Sequence, residues 1–263
     1  MSLEKLGNDA QRYVDTARRW ILELARLRLP EDRNTRLFLA GGSLSVAGIV
    51  LCPLLHYAIL GRQLTHTYPN ASSRYASLEC GEISSLPKHL VENPKQYRIV
   101  HDKVTKPIPE LTLALSEDSE NAFTKLLRYN MELITRTPQG WIGWLALKHS
   151  RHTFSKDYIE SLDFEEGDLV NGLYEVVKRT AVHVEFKINP PPEFNPGIEG
   201  RLIIQLRPRN QGAVLQTETI QWSHHDNRLT HLPLESRVIR FLHDWAERWI
   251  AIKGAQYLLS ISK

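Results

Sequence analysis

The sequence has few cysteines, little net charge and none of the common nucleotide-binding motifs. Among its 263 residues only Cys52 and Cys80 are cysteines, which excludes a disulfide framework. The 33 basic and 30 acidic residues give a formal net charge of +3, which is too balanced for a nucleic-acid-binding surface. No phosphate-binding glycine loop, dinucleotide fingerprint, nucleophile elbow, kinase signature or zinc-protease helix occurs in the sequence. We therefore expect no nucleic-acid partner and no cofactor.

The histidines that stand near one another do not predict a metal site. His149 and His152, together with the distant run of His224, His225 and Asp226, could in principle gather a metal ion. However, the first pair lies in a basic run typical of a surface, and the second group lies where a strand gives way to a helix. We therefore predict no metal ligands.

A long uncharged stretch stands near the beginning of the chain. Residues 37–60 read LFLAGGSLSVAGIVLCPLLHYAIL, with no Asp, Glu, Lys or Arg. As a helix this stretch would measure about 36 Å, enough to cross a hydrocarbon core of about 30 Å. We expect a single-pass transmembrane segment. The alternative is a buried hairpin or core helix of a cytoplasmic protein, because glycine, serine and proline interrupt the run.

Two regions flank this stretch. Residues 1–36 carry apolar side chains at three- and four-residue spacing and predict an amphipathic helix, which lies on a membrane surface or packs on the globular part. Residues 61–109 are rich in serine, proline and charge without a sustained period, which indicates a connecting region. The remaining residues, 110–263, form the predicted α+β domain.

That domain is predicted to contain an antiparallel β-meander. In residues 181–188 apolar and polar side chains alternate without a fault, as in a strand with one buried face. Short turns separate this segment from its neighbours, so consecutive strands can pair side by side. The partner strands are predicted at residues 169–177, 201–207 and 213–222.

A long C-terminal helix is predicted to cover the meander. Its apolar side chains recur at helical spacing from residue 233 to residue 253. Charged residues, among them Asp244 and Glu247, are expected on the solvent side. The aromatic residues expected to face the sheet are Phe241, Trp245 and Trp249.

The order of a helical region, an antiparallel meander and a long last helix resembles START-type lipid-transfer and polyketide-cyclase-like domains. The resemblance covers roughly residues 110–260 and is one of architecture. In those domains a curved sheet wraps the last helix around an apolar cavity. The resemblance therefore implies a site for a bulky hydrophobic small molecule or lipid, whether the protein carries that molecule or transforms it.

The strand at residues 213–222 has two possible registers. In one, Gln216 and Glu218 face the core beside Trp222, and burial would raise the pKa of the carboxyl group toward a role as an acid. In the other, the odd-numbered residues such as Thr217 face inward and Glu218 lies on the surface. The residues expected to line the cavity or act in it are Tyr174, Phe186, Gln216, Glu218, Trp222, Phe241, Trp245 and Trp249.

An apolar cavity without cofactor motifs predicts a cofactor-independent cyclase or isomerase of secondary metabolism. Its substrate would be polyketide- or terpenoid-like, and a pericyclic, Diels–Alder-type ring closure is one reaction of this kind. Glu218 would be the acid or hydrogen-bonding group, with Gln216 and Tyr174 orienting the substrate. The alternatives are a membrane-tethered lipid-binding or transfer module and a non-catalytic membrane scaffold.

Overall fold

The computed structural model describes residues 53–68, 83–109, 111, 117–189, 197–209, 211–226 and 231–262. The described residues from His56 onward belong to one compact unit. The amphipathic helix predicted at residues 1–36 and residues 37–52 of the predicted membrane segment lie outside the described ranges. Within those ranges no helix has both the length and the apolar character needed to span a membrane.

Seven strands of the described residues form one antiparallel sheet. Each strand pairs with its neighbours in continuous register, apart from a bulge between Val176 and Lys178. The strands are β1 (Thr65–Thr67), β2 (Tyr97–Ile108), β3 (Leu169–Val170), β4 (Tyr174–Thr180), β5 (His183–Ile188), β6 (Glu199–Pro208) and β7 (Ala213–His224). Their order across the sheet is β1-β2-β7-β6-β5-β4-β3.

Helices cover the sheet, and a side-chain N-cap marks the start of some of them. Thr137 precedes one of them, and its hydroxyl accepts a hydrogen bond from the Gly140 amide at 3.1 Å, as a helix N-cap does. The described helices are α1 (residues 53–61), α2 (Lys88–Glu92), α3 (Glu117–Thr135), α4 (Pro138–Ala146), α5 (Lys156–Ser161) and α6 (Arg237–Ile261). Short 3₁₀ helices occupy Pro94–Gln96, Lys148–Phe154 and Pro233–Glu235.

Both faces of the sheet are buried. The larger core lies between the sheet and helices α3, α5 and α6, and the smaller one lies on the opposite face, beneath α2. Prominent members of the larger core are Phe123, Leu126, Leu127, Phe186, Leu215 and Leu258. The smaller core contains Ile83, Leu90, Ile203, Ile220 and Trp222.

The structure confirms the α+β class and the antiparallel sheet with a C-terminal helix, and it places the start of the sheet earlier than predicted. β1 and β2 come from residues 61–109, which the sequence indicated as a connecting region. β2 is twelve residues long and pairs with β7 over its whole length. It lacks a hydrophobic alternation because His101 and Asp102 are both buried, one on each face of the sheet.

The orientation predicted for α6 is wrong. Asp244 and Glu247, expected toward solvent, are buried, whereas Trp245 and Trp249 are half-buried and stack on each other with ring centroids 6.1 Å apart. The aromatic side of α6 packs against α1, where the Trp245 indole donates a hydrogen bond to His56 Nδ1 at 3.1 Å. The packing of α1 accounts for the difference, because it provides a second apolar contact for the helix.

Candidate functional site

The residues predicted to line one cavity are divided between the two faces of the sheet. Tyr174 and Phe186 belong to the larger core, with their ring centroids 6.3 Å apart. Trp222 belongs to the smaller core on the other face. Phe241 and Trp245 of α6 contact Tyr57 and His56 of α1, and Trp249 stacks on Trp245. The sheet itself thus separates Trp222 from Phe186, so that the two side chains cannot line a common pocket.

Glu218 lies on the same face as Trp222 and is a buried, fully paired carboxylate. It is 3% exposed, and its oxygens lie 3.0 Å from His101 Nε2 and 3.1 Å from Lys103 Nζ. The amide of Gln216 also donates to it, at 2.5 Å. Burial acts to raise the pKa of Glu218, but the contacts with His101 and Lys103 outweigh burial and lower it. Neither the raised pKa nor the surface position expected from the sequence is therefore correct, and a catalytic role for Glu218 stays a prediction.

A second group of polar side chains meets on the other face, between α6 and the sheet. His66 comes from β1, Asp102 from the middle of β2, and His243, Asp244 and Glu247 from α6. We call these five residues the α6 cluster. His243 and Glu247 are four residues apart and therefore share one side of the helix. Antiparallel pairing of β1 with β2 brings the remaining two residues of the cluster together.

The distances within the α6 cluster are short. His243 Nε2 lies 3.1 Å from Asp102 Oδ2 and 3.7 Å from Glu247 Oε2, and His66 Nε2 lies 3.9 Å from the same Glu247 oxygen. The possible ligand atoms of Asp102, His243 and Glu247 all lie within 4.8 Å of one another, as do those of His66, Asp102 and Asp244. Two overlapping sets of three possible metal ligands therefore share Asp102.

Several oxygens of this cluster are buried without a hydrogen-bond donor. Asp102 Oδ1, Asp244 Oδ1 and Glu247 Oε2 form no hydrogen bond with any described residue. The three residues are only 1%, 4% and 7% exposed, respectively. Buried polar atoms almost always have a partner, and each exception requires an explanation such as an ion or a catalytic role. The unused oxygens converge on the cluster, which favours a bound cation there.

Neighbouring side chains fix the orientation of the two carboxylates from α6. The Thr217 hydroxyl on β7 donates to Glu247 Oε1 at 2.8 Å, so that Oε2 is left facing the cluster. The Tyr68 hydroxyl donates to Asp244 Oδ2, which leaves Oδ1 in the corresponding position. In known metal sites, hydrogen bonds from residues that do not bind the metal orient the side chains that do.

His66 presents a hydrogen-bond donor to the cluster. Arg248 Nε donates to His66 Nδ1 at 3.2 Å, so the neutral ring carries its proton on Nε2, the atom that faces Glu247. Burial lowers the pKa of His66 to about 4, and the positive charge of Arg248 acts in the same direction, so the ring is neutral at pH 7. His66 is therefore suited to support a carboxylate and not to bind a metal through Nε2.

The other residues of the cluster influence one another's ionisation. Burial acts to lower the pKa of His243, but Asp102 and Glu247 raise it to about 9. Burial acts to raise the pKa of Asp102, yet the attraction of His243 lowers it. Burial, together with repulsion from Asp102, raises the pKa of Glu247 well above 4.5. At neutral pH His243 and Asp102 of the metal-free cluster thus form an ion pair, and burial favours the neutral form of Glu247 beside them.

The sequence contained a signal for this site that our interpretation did not use. Residues 243–247 contain a histidine, an adjacent aspartate and a glutamate four positions after the histidine. This spacing places the imidazole and the glutamate carboxylate on one helix face. The remaining residues, His66 and Asp102, are far from this helix in the chain. Only the sheet pairing places them beside it.

Comparison with known proteins found no matching family model, no matching curated protein and no matching solved structure. The resemblance to START-type domains therefore remains one of element order alone.

Proposed function

We propose that the protein is a divalent-metal-dependent enzyme whose ion is bound by Asp102, His243 and Glu247. The observation that carries the proposal is the convergence of these three side chains, with unpaired oxygens, in a buried position. Buried carboxylate oxygens that are retained without donors lower the stability of a fold unless they serve a function. Binding of a cation would neutralise them and use the oxygens that now lack donors.

The spacing of the three side chains supports this assignment. Two atoms that are each about 2.1 Å from one ion lie about 3.0 Å apart at a right angle and about 3.4 Å apart at the tetrahedral angle. His243 Nε2 is 3.1 Å from Asp102 Oδ2 and 3.7 Å from Glu247 Oε2. Rotamer adjustments of a few tenths of an ångström would therefore bring these atoms to ligand distance.

The number and kind of ligands favour a catalytic ion over a structural one. Structural zinc sites are closed by four protein ligands, whereas catalytic sites typically use three and keep a position open. One imidazole with two carboxylates suits Zn²⁺, Mn²⁺ or Fe²⁺. The His243 side chain is 16% exposed, so the cluster is not sealed. When bound, such an ion supplies Lewis-acid activation of a substrate oxygen or of water.

The surrounding residues have separate tasks in this site. Thr217 holds Glu247 so that one carboxylate oxygen faces the ion position. Asp244, anchored by Tyr68, lies beside the three ligands and offers a further oxygen that can accept a proton from a substrate group. His66 offers an N–H on the same side. The chain thus places an acceptor and a donor next to the ion.

A second candidate is the cyclase or isomerase predicted from the sequence, acting without a metal. What favours it is the His243–Asp102 contact at 3.1 Å beside Glu247, whose pKa is raised by burial. The charged imidazole of His243 can donate a proton to a substrate, and the carboxylate of Asp102 beside it can accept one. In this version the catalytic groups belong to the α6 cluster, and not to Glu218.

The experiment that separates the two candidates is metal binding by the full chain. The purified protein is treated with EDTA, dialysed and titrated with Zn²⁺ and Mn²⁺ in a calorimeter. We expect one ion per chain, and Asp102→Asn and Glu247→Gln should each weaken binding more than about 100-fold, beyond the usual effect of an outer contact. Glu218→Gln is the matched control, since it alters a buried carboxylate outside the α6 cluster, and should bind as the wild type does.

Two results would contradict the metal assignment. One is the absence of stoichiometric binding of either ion, in which case the metal-free acid–base site is favoured. The other is equal weakening by all three substitutions, which would indicate a general effect on folding. The lipid-transfer and scaffold alternatives stay predictions, and mass spectrometry of ligands retained through gentle purification tests them separately.

A further inference from the structure

The short helix α4, which contributes no residue to the α6 cluster, carries an exposed apolar surface. Four of its nine residues are large apolar side chains with high exposure, and they occur as two adjacent pairs. Exposed apolar patches of this kind are uncommon on soluble proteins and usually mark an interaction surface. The side chains are Trp141 (61% exposed), Ile142 (64%), Trp144 (45%) and Leu145 (60%). We call them the α4 patch.

The helix that carries the α4 patch packs against the 3₁₀ helix that follows it. A Cβ atom at Gly143 would lie 3.4 Å from the Phe154 ring, which shows how closely the two helices approach. An open pocket of about 490 Å³ lies beside this contact, lined by Trp141, Trp144, Phe154 and Arg151 among others. The two tryptophans therefore border an open apolar depression.

The chain segment that carries the patch contains basic residues and no acidic ones, and acidic residues lie at its two ends. Residues 133–156 contain no Asp or Glu but include Arg136, Lys148, Arg151 and Lys156. The Arg151 guanidinium lies 4.2 Å from the centre of the Trp144 ring, and its Nε donates to the Trp144 carbonyl at 2.9 Å. Lys148 is exposed immediately after the helix. Two of the four cations are compensated, since Arg136 pairs with Glu132 and Lys156 with Glu160.

Trp144 and Leu145 lie near Lys148 and Arg151, which form no ion pair with any residue that the structure describes. Tryptophan and leucine beside such basic groups are typical of protein surfaces that contact lipid headgroups. Tryptophan prefers the interface between headgroups and hydrocarbon, and lysine or arginine near it adds attraction to anionic lipids. A purely protein partner would not require the local excess of positive charge. We propose that the α4 patch docks onto the surface of an anionic lipid bilayer, with the tryptophans inserted at headgroup depth.

The test measures whether the patch itself contacts lipid. The result therefore does not depend on whether another segment attaches the chain to a membrane. The environment-sensitive dye NBD is placed on a single cysteine at Ile142 or at Val91, in the full chain carrying Cys52→Ser and Cys80→Ser. Val91, on α2, is 52% exposed and serves as the matched control. The vesicles contain phosphatidylcholine alone or with 30% phosphatidylserine.

We expect the dye at position 142 to shift to shorter wavelength with the anionic vesicles and the dye at position 91 to stay unchanged. The double substitution Trp141→Ser and Trp144→Ser should reduce the affinity for anionic vesicles, measured with the dye at position 142, by at least about tenfold. Lys148→Ala should reduce it about fivefold, and only with phosphatidylserine present. Circular dichroism of each variant verifies that the fold is retained.

Three outcomes would overturn the proposal. Position 142 could remain unchanged while the chain is bound to vesicles, which would place the patch away from lipid. Both labels could shift equally, which would indicate general insertion or unfolding. The dye at position 142 could also shift with protein concentration in the absence of vesicles, which would assign the patch to contact with a second copy of the chain.

Discussion

Replacement of Glu247 by glutamine separates a functional role for the α6 cluster from a structural one. Glutamine has nearly the same shape as glutamate and keeps a carbonyl oxygen for the Thr217 hydroxyl. Its amide group replaces Oε2, which has no donor, and a carboxylate oxygen of Asp102 lies within 4.8 Å and can accept an N–H after a small side-chain adjustment. The variant therefore removes a buried ionisable ligand and offers the metal-free cluster a hydrogen-bond donor.

In the absence of metal this variant should be slightly more stable than the wild type. A buried oxygen without a donor costs about 1–3 kcal/mol, and one new hydrogen bond returns about 1 kcal/mol. We therefore expect Glu247→Gln to raise the free energy of unfolding at pH 7 by about 1 kcal/mol in EDTA. Since the folded-state pKa of Glu247 lies well above 4.5, the wild type loses stability as the pH rises above 4.5, and the variant does not. The advantage of the variant should grow as the pH rises above 4.5.

Addition of metal should reverse this order. A ligand at 100 times its dissociation constant stabilises the protein that binds it by about 2.7 kcal/mol. The wild type should gain about this amount and the variant almost nothing, so that the wild type becomes the more stable of the two by about 2 kcal/mol. The assay is urea unfolding followed by circular dichroism, with EDTA or with saturating Zn²⁺ or Mn²⁺.

A loss of stability in EDTA that remains the same with metal would refute this reasoning, because Glu247 would then be a structural residue. Glu218→Gln provides the comparison. It removes the ionic contact with Lys103 at 3.1 Å and should destabilise the protein under both conditions. A metal-dependent difference in Glu218→Gln would mean that the ion binds on the other face of the sheet.

Two further predictions concern the fold around these sites. Glu185 is buried and accepts hydrogen bonds from Ser84 and Ser85 at 2.8–2.9 Å, so Glu185→Gln should cost about 3 kcal/mol at pH 7. Contacts with His183 and the serines outweigh burial and lower the pKa of Glu185. The stability lost in Glu185→Gln should therefore shrink as the pH falls below 4.5. A loss that does not change with pH in urea unfolding would contradict this prediction. A Cβ atom at Gly254 would lie 2.6 Å from Asn130 Oδ1, so Gly254→Ala should lower the melting temperature despite its better helix propensity. It should do so much less in an Asn130→Ala background, and equal effects in both would show that the contact is not responsible.

The meander could be predicted because its strands have different surroundings on their two faces. In β5, Val184 and Phe186 enter the larger core, while the residues between them face a polar layer. Alternation of this kind appears directly in a sequence. In β7, by contrast, nearly every residue is buried, because the sheet is covered on both sides. The choice between two registers therefore had no single answer: Thr217 and Glu218 are both buried, on opposite faces.

The orientation of α6 could not be predicted because the helix makes two apolar contacts and one polar contact in the fold. Trp245 packs against α1, Leu258 packs in the larger core, and Glu247 faces the sheet between them. Periodicity alone assigns aromatic residues to the interior and carboxylates to solvent. The reverse arrangement at Glu247 depends on Thr217 and Asp102, which no local pattern connects to this helix. The same reasoning explains why the first strands were missed, since β2 contributes polar residues to both faces.

Glu218 on one face of the sheet and the α6 cluster on the other face are built in opposite ways, and the contrast supports the α6 cluster as the candidate site. Glu218 has three donors around it and a lowered pKa, so it gains nothing from a further partner and serves to tie β2 to β7. Asp102 and Glu247 keep oxygens without donors, at a cost that folding alone would remove by substitution. A sequence under selection for stability alone would replace the second arrangement and keep the first. The α6 cluster is therefore better explained by a ligand that completes it than by a contribution to the fold.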